Sequence, residues 1–190
     1  KKIVFSDSIP IGGLHITSDI VRGLGCKAED AEKLKILHGS ALSNETDEYN
    51  NVDVTIISDD GEIRDHIIPK AMLTAIIRPR IEEIFELIKT RLFSLGLLNT
   101  NMSQIILCGG GANLSNIREL AANFFEKNVR IGSPSGVSNL PEIVNSPTFA
   151  CLVGLLIKNL KKESLHFDYK ANPSFLNNFG RLGKWFDQNL

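Results

Sequence analysis

Apolar positions along the chain change period from segment to segment, and the changes mark out elements. Lys1-Lys2-Ile3-Val4-Phe5 reads as a strand, opening the sequence with no Met and no preceding turn, so the sequence reads as a piece of something longer. Ile9-Pro10-Ile11-Gly12-Gly13 is turn chemistry, because proline removes a donor and glycine accepts positive φ. Asp19 to Gly25 predicts a short helix closing at its glycines, and Glu29 to Gly39 a second, with Ala31, Leu34 and Leu37 in one apolar row. Polar residues 43–50 make a loop. Val52, Val54 and Ile56 alternate with Asp53 and Thr55 up to Asp59-Asp60-Gly61, which predicts a tight turn and a returning strand over Glu62 to Ile68.

From Pro69 the period lengthens to three or four. Leu73, Ile76, Ile77, Ile81, Ile84, Phe85, Ile88 and Leu92 predict a long helix, which Pro79 should kink or break. Gln104 to Cys108 is an apolar run short enough for a strand buried on both faces. It leads into Gly109-Gly110-Gly111 and a helix from about Ser115 to Phe125. Strand, glycine turn, helix is an α/β layout, in which ligands bind at the carboxyl ends of strands. Val129 to Gly132 adds a strand, and Ser146-Pro147 caps a helix over Thr148 to Leu160. Residues 161–174 are polar and read as a linker before a last amphipathic segment, 175–190.

Composition narrows the classes. With 190 residues, 43% of them hydrophobic, the chain can bury a real core. A net charge of -1 argues against an extended nucleic-acid surface. No apolar run approaches the roughly 18–20 residues of a spanning helix, and the start carries no secretory signal pattern. Cys26, Cys108 and Cys151 lack metal-ligand spacing and read as buried structural thiols of a reducing cytoplasm. His15, His38, His66 and His166 form no ligand spacing either, and suit surface or capping roles.

Three features carry candidate chemistry. Three glycines after a strand allow a backbone to approach a ligand closely, and they equally suit a plain tight turn. Glu32 and Lys35 share a helical face and can reach one ligand together, or form a solvated ion pair. Arg80 and Glu83 likewise share a face after Pro79, as an exposed pair or as a binding surface.

Taken together, Ile9 to Gly13, Ala31 to Lys35, Leu73 to Arg80 with Glu82-Glu83, Ile106 to Leu114, Val129 to Gly132, Gly136-Val137, Asn145 to Pro147 and Val153 to Leu156 resemble successive stretches of the FtsA family, in the same order. That family is part of the superfamily of actin, MreB and DnaK-type chaperones, which hold nucleotide between two lobes. The resemblance implies an α/β fold: the C-terminal lobe of an actin-like (ribonuclease H-like) architecture, with residues 1–25 and 100–160 as core subdomain and 26–99 as an inserted α+β subdomain. It implies that Gly109, Gly110 and Gly111 lie against adenosine and the α-phosphate, that Asn113 borders the base, and that Glu32 and Lys35 cover the adenosine. ATP with Mg²⁺ is the implied cofactor. The family's phosphate loops lie upstream of residue 1, so this chain alone is expected not to be an enzyme and to bind nucleotide weakly at best.

The same resemblance implies partners. Arg80 and Glu83 would face the C-terminal peptide of the tubulin-like protein FtsZ. Self-association into filaments, other division proteins and the membrane lipid surface complete the set, at the cytoplasmic face of the cell membrane at the division site. The competing assignment is the C-terminal lobe of another actin-superfamily ATPase or kinase, which has no need of an amphipathic tail.

That tail is legible from spacing alone. Phe175, Leu176, Phe179, Leu182, Trp185 and Phe186 fall on helical spacing with Arg181 and Lys184 among them, the signature of a helix lying in a membrane surface. Burying each large apolar side chain gains at most roughly 1.5–3 kcal/mol, and Gly180 and Gly183 each cost about 1 kcal/mol of helix propensity. The two cations add about 1 kcal/mol each near anionic lipid, and Asp187 opposes them. One tail is therefore a weak anchor, and firm attachment requires several tails presented together. In vesicle flotation, polymer should bind far more tightly than monomer; equal binding would contradict the weak-anchor account.

Overall fold

The computed structural model describes residues 3, 5–57, 62–97, 104–137 and 139–161. The chain divides into two compact units, residues 9–161 and residues 1–8 with 162–190. The expected linker and amphipathic helix, 161–174 and 175–190, lie outside the described residues but for Lys161, which ends the last helix. So does the expected turn at 59–61. In the smaller unit, Ile3 and Phe5 are exposed and belong to no strand, contrary to the expectation for residues 1–5. A strand exists only through its ladder, and no described neighbour supplies one.

The larger unit runs α1 (Gly13–Leu24), α2 (Ala28–His38), β1 (Asn51–Ile57), β2 (Ile63–Pro69), α3 (Lys70–Ser94), β3 (Ile105–Leu107), α4 (Ile117–Phe125), β4 (Val129–Ile131) and α5 (Ala150–Lys161), with short 3-10 turns between β3 and α4 and before α5. β1 and β2 form an antiparallel hairpin in which Asn51 faces Pro69 and Ile57 faces Ile63. β3 and β4 pair in parallel, Ile105 with Val129 and Leu107 with Ile131.

α1 begins six residues before the expected Asp19. His15 Nδ1 accepts the Gly12 N–H at 3.1 Å, capping the helix, and Ile16 and Ile20 bury one turn apart. Its end is as expected: Gly25 takes the left-handed conformation, φ 66°. In α2, Ala31 and Leu34 enter the core while Leu37 stays exposed, because the row outruns the core beside β1. α3 passes through Pro79 unbroken. A proline inside a helix costs about 3 kcal/mol, and here the cost is offset across the proline. Leu73, Ile77, Ile81 and Phe85 bury in one row, and Arg78 bonds Glu82 at 2.7 Å over the same turn.

The core joins α1, α2, β1, α3, α4 and β4 in one cluster. At its α3–α4 end Phe85, Phe124 and Phe125 meet with ring centroids 5.2–5.7 Å apart in tilted and edge-on arrangements. β3 is not buried on both faces: Ile106 is 49% exposed, since no described element covers that side. Cys26 is buried as expected, but Cys108 and Cys151 are exposed, one just past the end of β3 and one in the first turn of α5.

The end of α2 meets the start of α4 in a tight seam. Ala41 N–H donates to Ser115 O at 2.8 Å, Asn116 Nδ2 donates to Ser40 Oγ at 2.9 Å, and Ser40 is fully buried. A Cβ on Gly39 would stand 2.3 Å from the Lys35 carbonyl oxygen and 2.8 Å from Leu114 Cδ1. Gly39→Ala should therefore cost about 1–3 kcal/mol, whereas Gly154→Ala on the open face of α5 should gain up to about 1 kcal/mol. Urea denaturation of both variants checks this, and equal stabilities would refute the seam's tightness.

Candidate nucleoside-binding site

The glycine turn begins where β3 ends. Gly109 has φ 93°, open only to glycine at low cost, and its N–H donates to Pro147 O at 2.8 Å. Gly110 to Asn113 then form one 3-10 turn, and Ala112 N–H donates back to Gly109 O at 3.1 Å. A Cβ at Gly109, Gly110 or Gly111 would meet nothing within 4 Å. The turn thus presents bare backbone to open space. Asn113 Nδ2 donates to Thr148 Oγ1 at 2.8 Å, tying this turn to the 3-10 turn Pro147–Phe149. Ser146, the expected cap, accepts from Thr148 N–H at the start of that turn, and α5 follows from Ala150.

Glu32 and Lys35 make a 2.7 Å ion pair on α2, but they are not a plain surface pair. Lys35 Nζ also donates to Thr17 Oγ1 at 2.9 Å and to Gly13 O at 3.1 Å, both on α1. Thr17 Oγ1 donates to Glu32 Oε2 at 2.5 Å. Burial pushes the Glu32 carboxyl up, and the hydrogen bonds from Lys35 and Thr17 with the Lys35 charge outweigh it, leaving the carboxyl below its ordinary range. Glu32 Oε2 takes both bonds, and Oε1 has no partner among the described residues.

The α2–α4 seam relates the two features. Lys35 lies one turn before Gly39, and Gly111 lies three residues before Leu114, whose Cδ1 crowds the place a Cβ on Gly39 would take. The acidic–basic pair and the glycine turn are thus carried on two segments whose ends are locked together.

Arg80 is placed elsewhere, on α3. Its guanidinium bonds both oxygens of Asp19 on α1, at 2.5 and 2.9 Å, and also bonds Glu83. Arg80 and Asp19 are each about one-fifth exposed, whereas Glu83 is half exposed. The Arg80 hydrogen bond, opposed by burial and helped by the charges of Arg80, Arg22 and His15, lowers the Asp19 carboxyl. Thr17, Gly13, Thr148 and Asp19 escaped the reading of the sequence. The one available signal is Thr17 itself, a hydroxyl between Ile16 and Ile20 on the buried face of α1. The membrane-facing candidates Phe175 to Phe186 lie outside the described residues.

A family model described as cell division protein FtsA matches residues 1–154. The chain belongs to the FtsA family. Among curated members, FtsA of Rhizobium meliloti is 36% identical over the whole of this chain and FtsA of Agrobacterium fabrum 38%, with the alignment covering 44% of each relative. The Escherichia coli K12 FtsA is 29% identical over 78% of the chain. The chain therefore spans less than half the length of its FtsA relatives. Two crystal structures of MreB5 from Spiroplasma citri, one bound to AMPPNP and one to ADP, superpose with TM-scores of 0.63 and 0.65 at 18% and 20% identity. Each superposition covers 85% of this chain and 47% and 50% of the respective MreB5 chain, which shows the actin- and MreB-like fold.

The two tethered carboxylates predict how an FtsA chain of this kind responds to acid. Both are depressed, so the stability they confer is complete above the ordinary carboxylate range of about 4 and drains as pH falls through their lower folded values. Asp19→Asn should cost about 1–2 kcal/mol at neutral pH and flatten the acid limb of stability against pH. Urea denaturation from pH 7 down to pH 2.5 measures both. An unchanged acid limb in the variant would show that Asp19 is not held by Arg80 in solution.

Proposed function

We propose that this chain is the adenosine-holding lobe of an FtsA-type filament subunit that links the FtsZ ring to the cytoplasmic face of the membrane at the division site. The observation that carries the reading is the open glycine turn after β3, joined through the α2–α4 seam to a helix whose Glu32 keeps one carboxylate oxygen free. Bare backbone suits a flat base and the first phosphate, and a free carboxylate oxygen accepts from sugar hydroxyls. Family membership and the nucleotides named for the two MreB5 crystals support the same ligand class.

On this reading Gly109 to Gly111 and Asn113 border the nucleoside, while Glu32 with Lys35 covers it. ATP supplies the phosphate chain, and with Mg²⁺ it is met by the part of the relatives' length that this sequence does not span. Residues 1–25 and 100–160 act as the core subdomain and 26–99 as the inserted one. Glu83 and the outer edge of Arg80 offer the surface for the FtsZ peptide, and 175–190 supplies the lipid contact. The chain by itself is a binding lobe, not an ATPase.

Calorimetry tests the ligand. Wild-type chain should bind ATP more weakly than micromolar, and Gly110→Val should lower that affinity about tenfold or more while leaving stability within about 0.5 kcal/mol. A micromolar wild-type affinity would contradict the division of the site between two lobes. An unaffected Gly110→Val variant would remove the turn from the site.

A further inference from the structure

We infer that the outer edge of β4 is a docking surface for an extended acidic segment of a partner protein, which pairs with the backbone at Ile131 while Arg118 and Arg130 take its carboxylates. The surface uses none of the residues assigned above to the nucleoside or to the FtsZ peptide.

β4 has one neighbour among the described strands, β3. Ile105 N–H donates to Asn128 O and Gly132 N–H to Leu107 O, both at 2.8 Å, so residues 128 and 132 turn these backbone groups towards β3. Such groups alternate sides along a strand, and Arg130, midway between the two, faces β3 as well. Ile131 therefore turns its N–H and C=O to the outer side, and among the described residues none takes them up. An edge left open in this way is a template for a further strand. It is also held in place beforehand, because Val129 is buried in the core and Ile131 packs against it, which lowers the cost of binding.

The groove beside Ile131 defines the partner. It holds about 470 Å³ and is lined by apolar Leu114, Ile117 and Ile131 and by Arg118, Glu119 and Arg130. Arg118 gives Nε and Nη2 to Glu119 Oε1, at 2.9 and 2.6 Å, and its side chain is 59% exposed. Arg130 is exposed, and among the described residues its hydrogen bond is from Nε to the neutral Gln104 Oε1 at 3.3 Å. Two guanidiniums thus share one carboxylate, and both terminal nitrogens of Arg130 are left to a ligand. That is the bidentate geometry a carboxylate fits. A second copy of the chain fits poorly. Two β4 edges paired about a two-fold axis at the centre of this three-residue strand would set Arg130 opposite Arg130. Nucleic acid fits poorly too, since a phosphate backbone asks for many cations in a row and the groove offers two.

The test is NMR of the ¹⁵N-labelled chain with an eight-residue threonine–glutamate repeat, compared with a threonine–glutamine repeat of the same length. At low salt the acidic peptide should bind about tenfold more tightly than the neutral one, shift the amides of residues 117–119 and 130–132, and lose its margin as salt is added. Arg118→Gln combined with Arg130→Gln should weaken it about tenfold. Ile131→Pro removes the outward donor while leaving the β3 ladder intact, and should weaken both peptides about fivefold. Should the proline variant fail to fold, the arginine pair decides, since both side chains are exposed. Equal affinity for the two peptides, or a double variant that binds as wild type does, would overturn the acidic partner. Absence of binding at millimolar peptide, or shifts confined to other residues, would remove β4 as the surface. An Ile131 amide that becomes protected from exchange as chain concentration rises, with no peptide present, would make a second copy the occupant and end the proposal.

Discussion

The junction between the end of α2 and the start of α4 is the constraint on which the site depends. Ser40 is fully buried with a polar hydroxyl, so its hydrogen bonds must be made internally. It donates to Leu42 O at 2.7 Å and accepts from Asn116 Nδ2, while Ala41 N–H closes the contact on Ser115 O. Each of these groups thus finds its partner inside the seam. The seam therefore has little freedom to slide, and Gly39 admits the Leu114 methyl only because it has no Cβ. Everything proposed of the nucleoside site presumes that two segments far apart in sequence keep one relative placement, and this cluster is what holds them.

The elements visible in the sequence are those with a local cause. The β1–β2 hairpin follows from strict alternation, the end of α1 from Gly25, and the glycine turn from three residues without side chains after an apolar run. The misreadings also have local causes. Gly12-Gly13 has the composition of a turn, yet Gly13 opens α1, because a histidine three residues past Gly12 can supply the missing cap. Pro79 carries the signal of a helix break, and the packing of Ile77, Ile81 and Phe85 overrides it. Leu37 and Ile106 fit an apolar pattern but lie where no described element covers them. Periodicity reports which face is apolar, not how far the core extends beneath it.

The site was legible in outline and not in its bonding. Glu32 and Lys35 announce themselves by a three-residue spacing, which says that they meet but not what else they touch. Thr17 is 15 residues from Glu32, and Asp19 is 61 from Arg80. Contacts at such separations leave no trace in local spacing. They are nevertheless what distinguishes a solvated surface pair, worth little, from a carboxylate held in one orientation.

α1 carries both of these long-range contacts within one turn. Thr17 and Gly13 receive α2, and Asp19 receives Arg80 of α3. Arg80, which resemblance to the family associates with a partner peptide, already bonds both oxygens of Asp19 and also Glu83. An acidic ligand there must either displace Asp19, at the cost of unpairing a carboxylate only about one-fifth exposed, or bind the remaining outer edge of the guanidinium while Asp19 stays in place. The first course disturbs the helix that braces Glu32; the second leaves it untouched. A partner that communicates with the nucleoside site through α1 must therefore take the first course, because only a ligand that distinguishes two arrangements of that helix can shift the balance between them.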